Sequence, residues 1–587
     1  MNEQMKETGR RDYPPYPAYP YSPPIKGLFH RQSLSNPDML GFYSVYIPGN
    51  FDPCSPGVVI LTPNNTTAES FIENSTGKDW IAVADSFGIA VVVAEPYDAK
   101  TWNTNNAVQA RDDEAFLKKI YDTIRSKSKA IIAAFDLNER ALYLVGYGEG
   151  GSAAHKMAML WPQLFCGMAT VGGSAAPDTI IRLYADKLSY PFAQTGSLEG
   201  QEDMALPNGK IPLPVWIMES DKGSDNSESV KAHWISAAGA FSGAANEYAQ
   251  QVYENGAVRI WISAADKASG ISPNILYTKF LNQVQRFMPE PGGVLEWSIQ
   301  HKNENGWGFF FTETKVDGLL RRWLTYIPRS YNETIEHPLV VAIHGGTSVT
   351  TAFTGDSRWQ DMAEKYSFIV VFPQAYPVAV SNSLADTIPA PIWCQYILSP
   401  NVPHDDVAFI KEVIARTRKA YNIDARRIFA TGHSNGAGMT WRLSIEAPEL
   451  FAAIAPVGLT LGSYLDDVVP LETPLPVWVF MGRFDLLGAD QFEKNNFNDL
   501  CLKYWGHRNG FDPSRLTTEF DDMGRYYIRT WTNGRDDIPL FHYATANNCA
   551  HAYIPYECEL LWRSFFMRIT LGPDGKRYFD GREITRG

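Results

Sequence analysis

Residues Ile428–Met439 read IFATGHSNGAGM, a short apolar run that ends in Gly-x-Ser-x-Gly and continues into a segment of helical character. This order predicts a nucleophile elbow, a tight strand-to-helix turn on which Ser434 exposes its hydroxyl. Gly432 and Gly436 flank the serine because a side chain at either position would collide with the neighbouring strand or helix. The N–H of Asn435 then points to where an oxyanion would form, at the positive end of the helix dipole.

Three further segments give the elbow its context, since Gly-x-Ser-x-Gly alone also fits a glycine-rich turn. Upstream, an apolar strand run ends in His-Gly-Gly-Thr at residues 344–347, the usual source of a second oxyanion donor. Downstream, Asp485 follows another strand run, and His551 lies in a loop before the final helix. Ser434, Asp485 and His551 stand in the chain order of the α/β-hydrolases, which predicts them as nucleophile, orienting acid and base.

Other residues compete for these roles. His404, His433, His507 and His542 are rival bases, and Asp490 is the rival acid. His433, beside Ser434, is expected to pack under the turn and to border the substrate.

Two further motifs have structural interpretations. His344 is interpreted as a strand-end residue rather than a catalyst. Asp405 and Asp406 resemble a carboxylate pair, but the same pair recurs at residues 112–113, so a helix-start role is the better interpretation for both.

The same series of segments occurs twice along the chain, which decides the architecture. The matched segments are Leu40–Pro48 with Leu320–Pro328, Gly57–Leu61 with Leu339–Ile343, Ser86–Val93 with Lys365–Phe372, Asp112–Leu117 with Asp405–Ile410, Leu142–Gly150 with Ile428–Gly436, and Pro212–Trp216 with Pro474–Trp478. Strands alternating with helices predict a mostly parallel sheet flanked by helices in each copy. We therefore predict tandem α/β-hydrolase folds, residues 1–290 and 291–587, whose opening segments 42–47 and 323–327 are antiparallel edge strands.

The two copies differ where chemistry would occur. Gly148 stands in the serine position of the first copy, Gly270 in the histidine position, and Thr62–Asn65 replaces the His-Gly-Gly stretch. The first copy is therefore predicted to be degenerate and non-catalytic, preceded by a Pro/Tyr-rich arm at residues 13–24. Its role stays open between structural support, a wall or lid of the second site, and substrate binding.

Composition and charge argue against several classes of binding partner. The chain has 587 residues and a formal net charge of −13, which argues against nucleic acid and anionic membranes. No signal peptide or membrane-spanning run is visible, so we expect a cytoplasmic protein, with secretion left open. The six scattered cysteines are expected to be free buried thiols. No phosphate-cradling loop or Cys/His metal cluster is apparent, so no cofactor or metal is predicted; a homo-oligomer stays open.

The second half resembles the polyhydroxybutyrate depolymerase and feruloyl esterase group of α/β-hydrolases. The matching residues are 344–347, Asp406–Ile410, Ala430–Gly436, Pro448–Val457, Asp485 and Cys549–Tyr553. This resemblance implies a Ser434/His551/Asp485 triad and an oxyanion hole around Gly346, Thr347 and Asn435. It also suggests an aromatic substrate wall near Trp393, for which a core position is equally open. Gly346 departs from the group because many relatives have cysteine there.

These features together predict a serine esterase that works through an acyl-enzyme on a small ester or an esterified saccharide. Feruloyl or related aryl esters of sugars are the first expectation, and short hydroxyalkanoate esters are the alternative. A serine peptidase of the same fold is the chief rival enzyme. A binding protein on a degenerate hydrolase fold is the rival outside enzymes.

Overall fold

A computed structural model describes two compact units of this chain. The described residues are 26–33, 41–51, 55–97, 100–104, 113–124, 137, 141–173, 177–189, 206–219, 227–287, 294–297, 308–379, 389–395, 404–460, 471, 473–483, 485, 496–521, 524–534, 537–546, 549 and 551–586. Those up to 297 form the first unit and those from 308 the second, so residues 294–297, predicted to begin the second domain, belong to the first unit. The Pro/Tyr-rich arm and the predicted joint at residues 289–293 lie outside the described residues.

The first unit is built on a ten-stranded sheet. Its strands are β1 (Gly27–Ser33), β2 (Phe42–Ile47), β3 (Gly57–Leu61), β4 (Ala90–Ala94), β5 (Leu142–Tyr147), β6 (Gly167–Val171), β7 (Val215–Met218), β8 (Phe241–Ser242), β9 (Gln251–Asn255) and β10 (Val258–Ser263). Their order in the sheet is 1-2-4-3-5-6-7-10-9-8. The central strands from β4 to β10 in this order are parallel, and the outer pairs are antiparallel.

The second unit repeats this sheet strand by strand. Its strands are β11 (Phe309–Val316), β12 (Leu319–Tyr326), β13 (His337–Ile343), β14 (Ile369–Pro373), β15 (Ile423–His433), β16 (Ala453–Val457), β17 (Val477–Gly482), β18 (Thr517–Phe520), β19 (Tyr526–Thr532) and β20 (Pro539–Ala546). Their order is 11-12-14-13-15-16-17-20-19-18, the first order with ten added to each number. The predicted tandem α/β architecture is confirmed.

Helices and small sheets complete each unit. The first unit has α-helices at Ala68–Glu73, Ser75–Phe87, Asp113–Ile124, Glu149–Leu160, Asp178–Ala185, Ser227–Ala238, Ala265–Ala268 and Pro273–Lys279. The second has them at Thr350–Ser357, Trp359–Tyr366, Asp406–Ala420, Asn435–Glu446, Asn496–Asn509 and Pro555–Ser564. Short strand pairs join Leu188–Ser189 to Leu206–Pro207, Val284–Phe287 to Val294–Trp297, and Pro377–Ala379 to Pro389–Pro391, and a three-stranded sheet comprises Ile569–Leu571, Arg577–Phe579 and Arg582–Glu583. None of the described helices is both long and apolar enough to cross a bilayer.

The central strands carry continuous apolar runs because each is covered on both faces. In β3, Val59 and Leu61 pack into one core cluster, whereas Val58 and Ile60 pack into a second. Successive side chains of a strand point to opposite faces, so these clusters lie on the two sides of the sheet. A continuous apolar run, rather than an alternating one, is therefore the sequence signature of these strands.

The edge-strand prediction was wrong for both opening segments. β2 and β12 are antiparallel as predicted, but each is second in its sheet because β1 and β11 pair outside them. Strand β11 escaped prediction because most of its residues are only partly buried and give no apolar run. The described cysteines are buried free thiols as predicted, and Cys54 lies outside the described residues.

Candidate active site

Ser434 occupies a strained turn between β15 and the helix Asn435–Glu446. Its backbone φ is 54° and its ψ is −117°, a conformation that L-residues other than glycine rarely adopt. The Ser434 N–H donates to the Val457 carbonyl at 2.8 Å, and the Ser434 carbonyl accepts from the Gly438 N–H at 3.0 Å. The strain is therefore held by hydrogen bonds on both sides of the serine, as a nucleophile elbow requires.

The flanking glycines are required by close backbone contacts. A Cβ at Gly432 would lie 2.4 Å from the Gly436 carbonyl oxygen. A Cβ at Gly436 would lie 2.4 Å from the carbonyl oxygens of both Ile343 and His344. The helix after Ser434 thus begins directly against the end of β13, which explains why the sequence repeats glycine at these spacings.

The predicted acid and base are hydrogen-bonded to each other. Asp485 follows β17, and His551 lies in the loop between β20 and the helix Pro555–Ser564. The two residues meet at 2.9 Å between Asp485 Oδ2 and His551 Nδ1. The Asp485 side chain is fully buried, whereas the imidazole of His551 is 31% exposed. This geometry fixes the His551 tautomer and leaves its Nε2 for proton transfer.

His551 lies beside the elbow. A Cβ at Gly458, directly after Val457, would lie 3.1 Å from His551 Cε1, and the rings of His551 and His433 are 4.8 Å apart. Among the described residues, the Ser434 hydroxyl makes no hydrogen bond with His551. Catalytic hydrogen bonds are often long in free enzymes and tighten with substrate, so the lack of this bond does not argue against the pair.

The rival histidines lie in other surroundings, and one of them, His404, approaches a carboxylate that Arg321 already binds. His542 stacks on Trp478 at 4.2 Å in the sheet, His404 Nε2 lies 3.3 Å from Asp406 Oδ2, and His507 lies on the exposed side of a helix. The rival acid Asp490 lies outside the described residues.

The ring of His433 packs against the ring of His551, the candidate base. A Cβ at Gly345 would lie 3.3 Å from His433 Nδ1, and Nε2 is buried with no hydrogen-bond partner among the described residues. Burial, with a smaller contribution from His551, lowers the pKa of His433 to about 3. His433 is therefore neutral at pH 7 and supports the ring of His551, while its predicted contact with substrate stays a prediction.

The His-Gly-Gly-Thr loop lies against the elbow as an oxyanion loop should. A Cβ at Gly345 would lie 3.6 Å from Ser434 Cβ, and a Cβ at Gly346 would lie 3.2 Å from Asn435 Cβ. One predicted donor must be corrected, however. The Thr347 N–H donates to the Pro391 carbonyl at 2.8 Å, so it does not serve an oxyanion. The N–H groups of Gly346 and Asn435 are the remaining candidate donors.

His344 is a structural residue, as predicted. Its side chain is buried; Nε2 accepts from the Ala375 N–H at 3.0 Å, and Nδ1 lies 2.7 Å from the Gly345 carbonyl. Burial lowers the pKa of His344 to about 4. A neutral imidazole that donates from Nδ1 and accepts at Nε2 satisfies this set of contacts and holds the oxyanion loop in place.

Trp393 is not a substrate wall, which corrects the role that the resemblance implied. Its side chain is 1% exposed, and its indole N–H donates to the His344 carbonyl at 2.8 Å. The Asn435 side chain accepts from the Trp393 N–H at 2.7 Å and donates to its carbonyl at 3.1 Å. Trp393 is thus a support beneath the loop, and Asn435 contributes its side chain as well as its backbone, a role that sequence reasoning missed.

A buried ion pair behind the site was also missed. Asp405 caps its helix by accepting from the Val407 N–H at 2.9 Å, as predicted. Asp406, for which the same role was predicted, is instead fully buried and accepts from Arg321 Nη2 at 2.7 Å and from the Cys394 N–H at 2.8 Å. The positive charges around it hold the pKa of Asp406 below its usual value despite the opposing effect of burial. This pair anchors the segment that carries Trp393.

The first unit retains the elbow without its chemistry. Gly148 has φ 53° and ψ −131°, and its N–H donates to the Val171 carbonyl at 2.9 Å. A Cβ at Gly150 would lie 2.3 Å from the Leu61 carbonyl oxygen. Gly270 lies in the loop before the helix Pro273–Lys279, and no histidine occurs at residues 264–272. The turn is present, but it carries no hydroxyl and no imidazole.

The described residues contain no group of three or more His, Cys, Asp or Glu side chains arranged to hold a metal ion.

Comparison with known proteins finds a family match that falls within the second unit. The family model for esterase PHB depolymerase matches residues 323–468. The chain is 35% identical over 130 residues to a probable acetylxylan esterase A of Aspergillus fumigatus, a match that covers 22% of this chain and 33% of that protein. It is 31% identical over 126 residues to poly(3-hydroxyalkanoate) depolymerase C of Paucimonas lemoignei, covering 20% and 27%.

One similar solved structure is that of an acetyl xylan esterase from Aspergillus awamori. It is 18% identical with a TM-score of 0.32, and the match covers 44% of this chain and 99% of that one. The matched region spans about a third of the length of the curated relatives. The family match confirms the resemblance predicted for the second half.

Proposed function

We propose that the second unit, an α/β-hydrolase of the polyhydroxybutyrate depolymerase and feruloyl esterase group, hydrolyses carboxylic esters through an acyl-enzyme on Ser434. The observation that carries this proposal is the hydrogen bond of 2.9 Å between His551 and buried Asp485, next to a strained elbow that bears a serine. A buried carboxylate, a partly exposed imidazole and a serine hydroxyl in this order are the parts that acyl transfer needs.

Each group has a defined role in the proposed reaction. His551 Nε2 takes the proton of Ser434 as the hydroxyl attacks the ester carbonyl carbon. The negative charge on the carbonyl oxygen is stabilised by the N–H groups of Asn435 and Gly346. His551 then gives its proton to the leaving alcohol, and Asp485 stabilises the imidazolium between the two transfers. Water, activated by the same imidazole, releases the acid from Ser434.

The acyl group is the finer part of the proposal. The sequence predicts feruloyl or related aryl esters of sugars, with short hydroxyalkanoate esters as the alternative. Acetylated sugars are a further candidate, which the names of the acetylxylan esterase relatives favour. In all three cases the same site would attack the ester carbonyl, and only the groups around it would differ.

The first unit is proposed to be non-catalytic. Its elbow presents Gly148, and its base loop lacks histidine, so nucleophile and base are both missing from the positions that the second unit uses. All hydrolysis by the full chain should therefore depend on Ser434.

Labelling with a fluorophosphonate probe tests the proposal directly. We expect one label per chain, on Ser434, and none in Ser434→Ala. Gly148→Ser is the matched control because it places a serine on the first elbow; it should not add a second label. Parallel assays on p-nitrophenyl acetate, p-nitrophenyl butyrate and methyl ferulate would identify the acyl preference. A wild-type chain that neither reacts with the probe nor cleaves any of these esters would refute the enzyme assignment.

A further inference from the structure

Ile392 stands against the loop that provides one of the candidate oxyanion donors. A Cβ at Gly346 would lie 3.1 Å from Ile392 Cδ1 and 3.2 Å from Asn435 Cβ. The Ile392 side chain is only partly buried, unlike that of its neighbour Trp393. The space that a side chain at position 346 would need is therefore bordered by Ile392, on the side of the site where the ester carbonyl would bind.

The backbone on both sides of Ile392 is held by hydrogen bonds. The Pro391 carbonyl accepts from the Thr347 N–H at 2.8 Å, and Trp393 is paired through its N–H and carbonyl with the Asn435 side chain. Beyond it, the Cys394 carbonyl accepts from Arg442 Nη1 at 2.7 Å. Ile392 thus lies on a segment tied to the oxyanion loop and to the helix that follows Ser434, so its side chain has a fixed place relative to both.

The sheet order shows which part of an ester would face Ile392. Strand β15, which ends at the elbow, lies between β13 and β16. Gly346 and Ile392 lie on the β13 side, whereas Gly458, which contacts His551, directly follows β16. The leaving alcohol must lie near His551 to receive its proton. The acyl group, directed away from the alcohol, then lies towards Ile392.

We propose that Ile392 is the residue that determines acyl specificity at this site, limiting the size of the acyl group next to the carbonyl carbon. This inference rests on the proposed esterase function and adds to it a residue and a direction. Hydrophobic contacts discriminate a methylene group by about 10- to 200-fold in kcat/KM, so one side chain at this place is enough to set a preference.

The test compares two series of esters with the full chain. In the acyl series, p-nitrophenyl acetate, butyrate and hexanoate vary only the acid. Ile392→Ala should raise the butyrate-to-acetate ratio of kcat/KM by about 10-fold or more. Ile392→Val should raise it less, and Ile392→Phe should lower it. In the alcohol series, methyl, phenyl and 1-naphthyl acetates vary only the leaving group, and their ratios should be the same in all variants.

Two results would overturn the inference. One is an acyl ratio that none of the three substitutions changes, and the other is a shift in the alcohol series in place of the acyl series. The valine and phenylalanine variants carry the test if the alanine variant does not fold. Failure of the esterase proposal is distinguishable, because the wild-type chain would then show no Ser434-dependent hydrolysis of any ester. If the wild-type enzyme is active and the Ile392 variants leave the acyl ratios of kcat/KM unchanged, only the role assigned to Ile392 is contradicted.

Discussion

The elbows of the two units have nearly the same backbone and different residues. Ser434 has φ 54° and ψ −117°, and Gly148 has φ 53° and ψ −131°. Each residue donates its N–H to the strand that follows, Ser434 to Val457 at 2.8 Å and Gly148 to Val171 at 2.9 Å. The turn is thus a property of the fold, whereas the hydroxyl is a property of the second unit.

The difference between the elbows shows how much backbone strain a serine at this turn carries. Serine at positive φ carries strain of about 1–3 kcal/mol, which glycine avoids because it has no Cβ. The second unit retains this strain at its candidate active site, where the hydroxyl would be needed. The first unit holds the same turn with glycine, as expected for a unit without a nucleophile.

The largest expected effect is on catalysis. Ser434→Ala should lower kcat by about 10⁴-fold or more, and His551→Ala should lower it about as much, because the members of the proposed triad should act as a unit. The double variant should be no worse than either single one. Steady-state kinetics on p-nitrophenyl acetate, with circular dichroism to check the fold, would measure this. Losses that multiply in the double variant would instead show that the two residues act independently.

Substitution of the crowded glycines should destabilise both units and inactivate one. A Cβ at Gly436 or Gly150 would meet a backbone carbonyl oxygen at 2.4 or 2.3 Å, and backbone cannot yield as a side chain can. Gly436→Ala and Gly150→Ala should each cost about 3 kcal/mol of unfolding free energy. Only Gly436→Ala should lower kcat measured on the protein that remains folded.

Gly49→Ala is the control for these glycines, since no atom of the described residues beyond its chain neighbours lies within 4 Å of its added Cβ. Denaturant unfolding of the full chain gives the comparison. If Gly436→Ala and Gly150→Ala were as stable as Gly49→Ala, the predicted clash of an added Cβ with a backbone carbonyl oxygen would be wrong at both elbows.

Buried neutral histidines occur in both units and should make the chain sensitive to acid. Burial lowers the pKa of His155 in the first unit and of His542 in the second to about 3. Below about pH 6.5 these two histidines bind protons in the unfolded chain but stay neutral in the folded chain. The free energy of unfolding therefore falls as the pH falls from about 6.5 towards 3. Each histidine contributes a slope of up to about 1.4 kcal/mol per pH unit.

The variants His155→Gln and His542→Gln test this contribution one unit at a time. Unfolding free energies measured at several pH values between 4 and 7 should show a shallower slope in each variant than in the wild type. Slopes identical to that of the wild type would mean that these imidazoles are protonated in the folded protein.

The smallest expected change in stability comes from exchanging the residue types of the two elbows. Ser434→Gly should abolish hydrolysis yet stabilise the chain by about 1 kcal/mol, because it removes strain at positive φ. Gly148→Ser should destabilise by a similar amount and create no new activity, since no histidine lies in the base loop of the first unit. Thermal unfolding of the two variants and of the wild type would measure both stability changes. Equal stability of all three chains would contradict the strain assigned to Ser434.

The sequence alone was enough to predict the tandem architecture and the candidate triad. Buried strands and the elbow rest on local patterns, namely apolar runs and spaced glycines. The tandem repeat and the candidate triad rest on the order of segments and of Ser434, Asp485 and His551 along the chain. The spacing of Gly432 and Gly436 has a direct steric cause, which the contacts at 2.4 Å show. Both kinds of pattern can be read along the chain without knowing which residues come into contact.

Only the tertiary structure decided what supports the site. Thr347 lost its predicted role because its N–H meets the Pro391 carbonyl, and Trp393 proved to be buried against His344. Asp406 proved to be the buried partner of Arg321 rather than a helix cap. In each case the deciding partner is distant in sequence and comes close only through the order of strands in the sheet. A hydrogen bond depends on distances of about 3 Å between such groups, and no local pattern of residues specifies those distances.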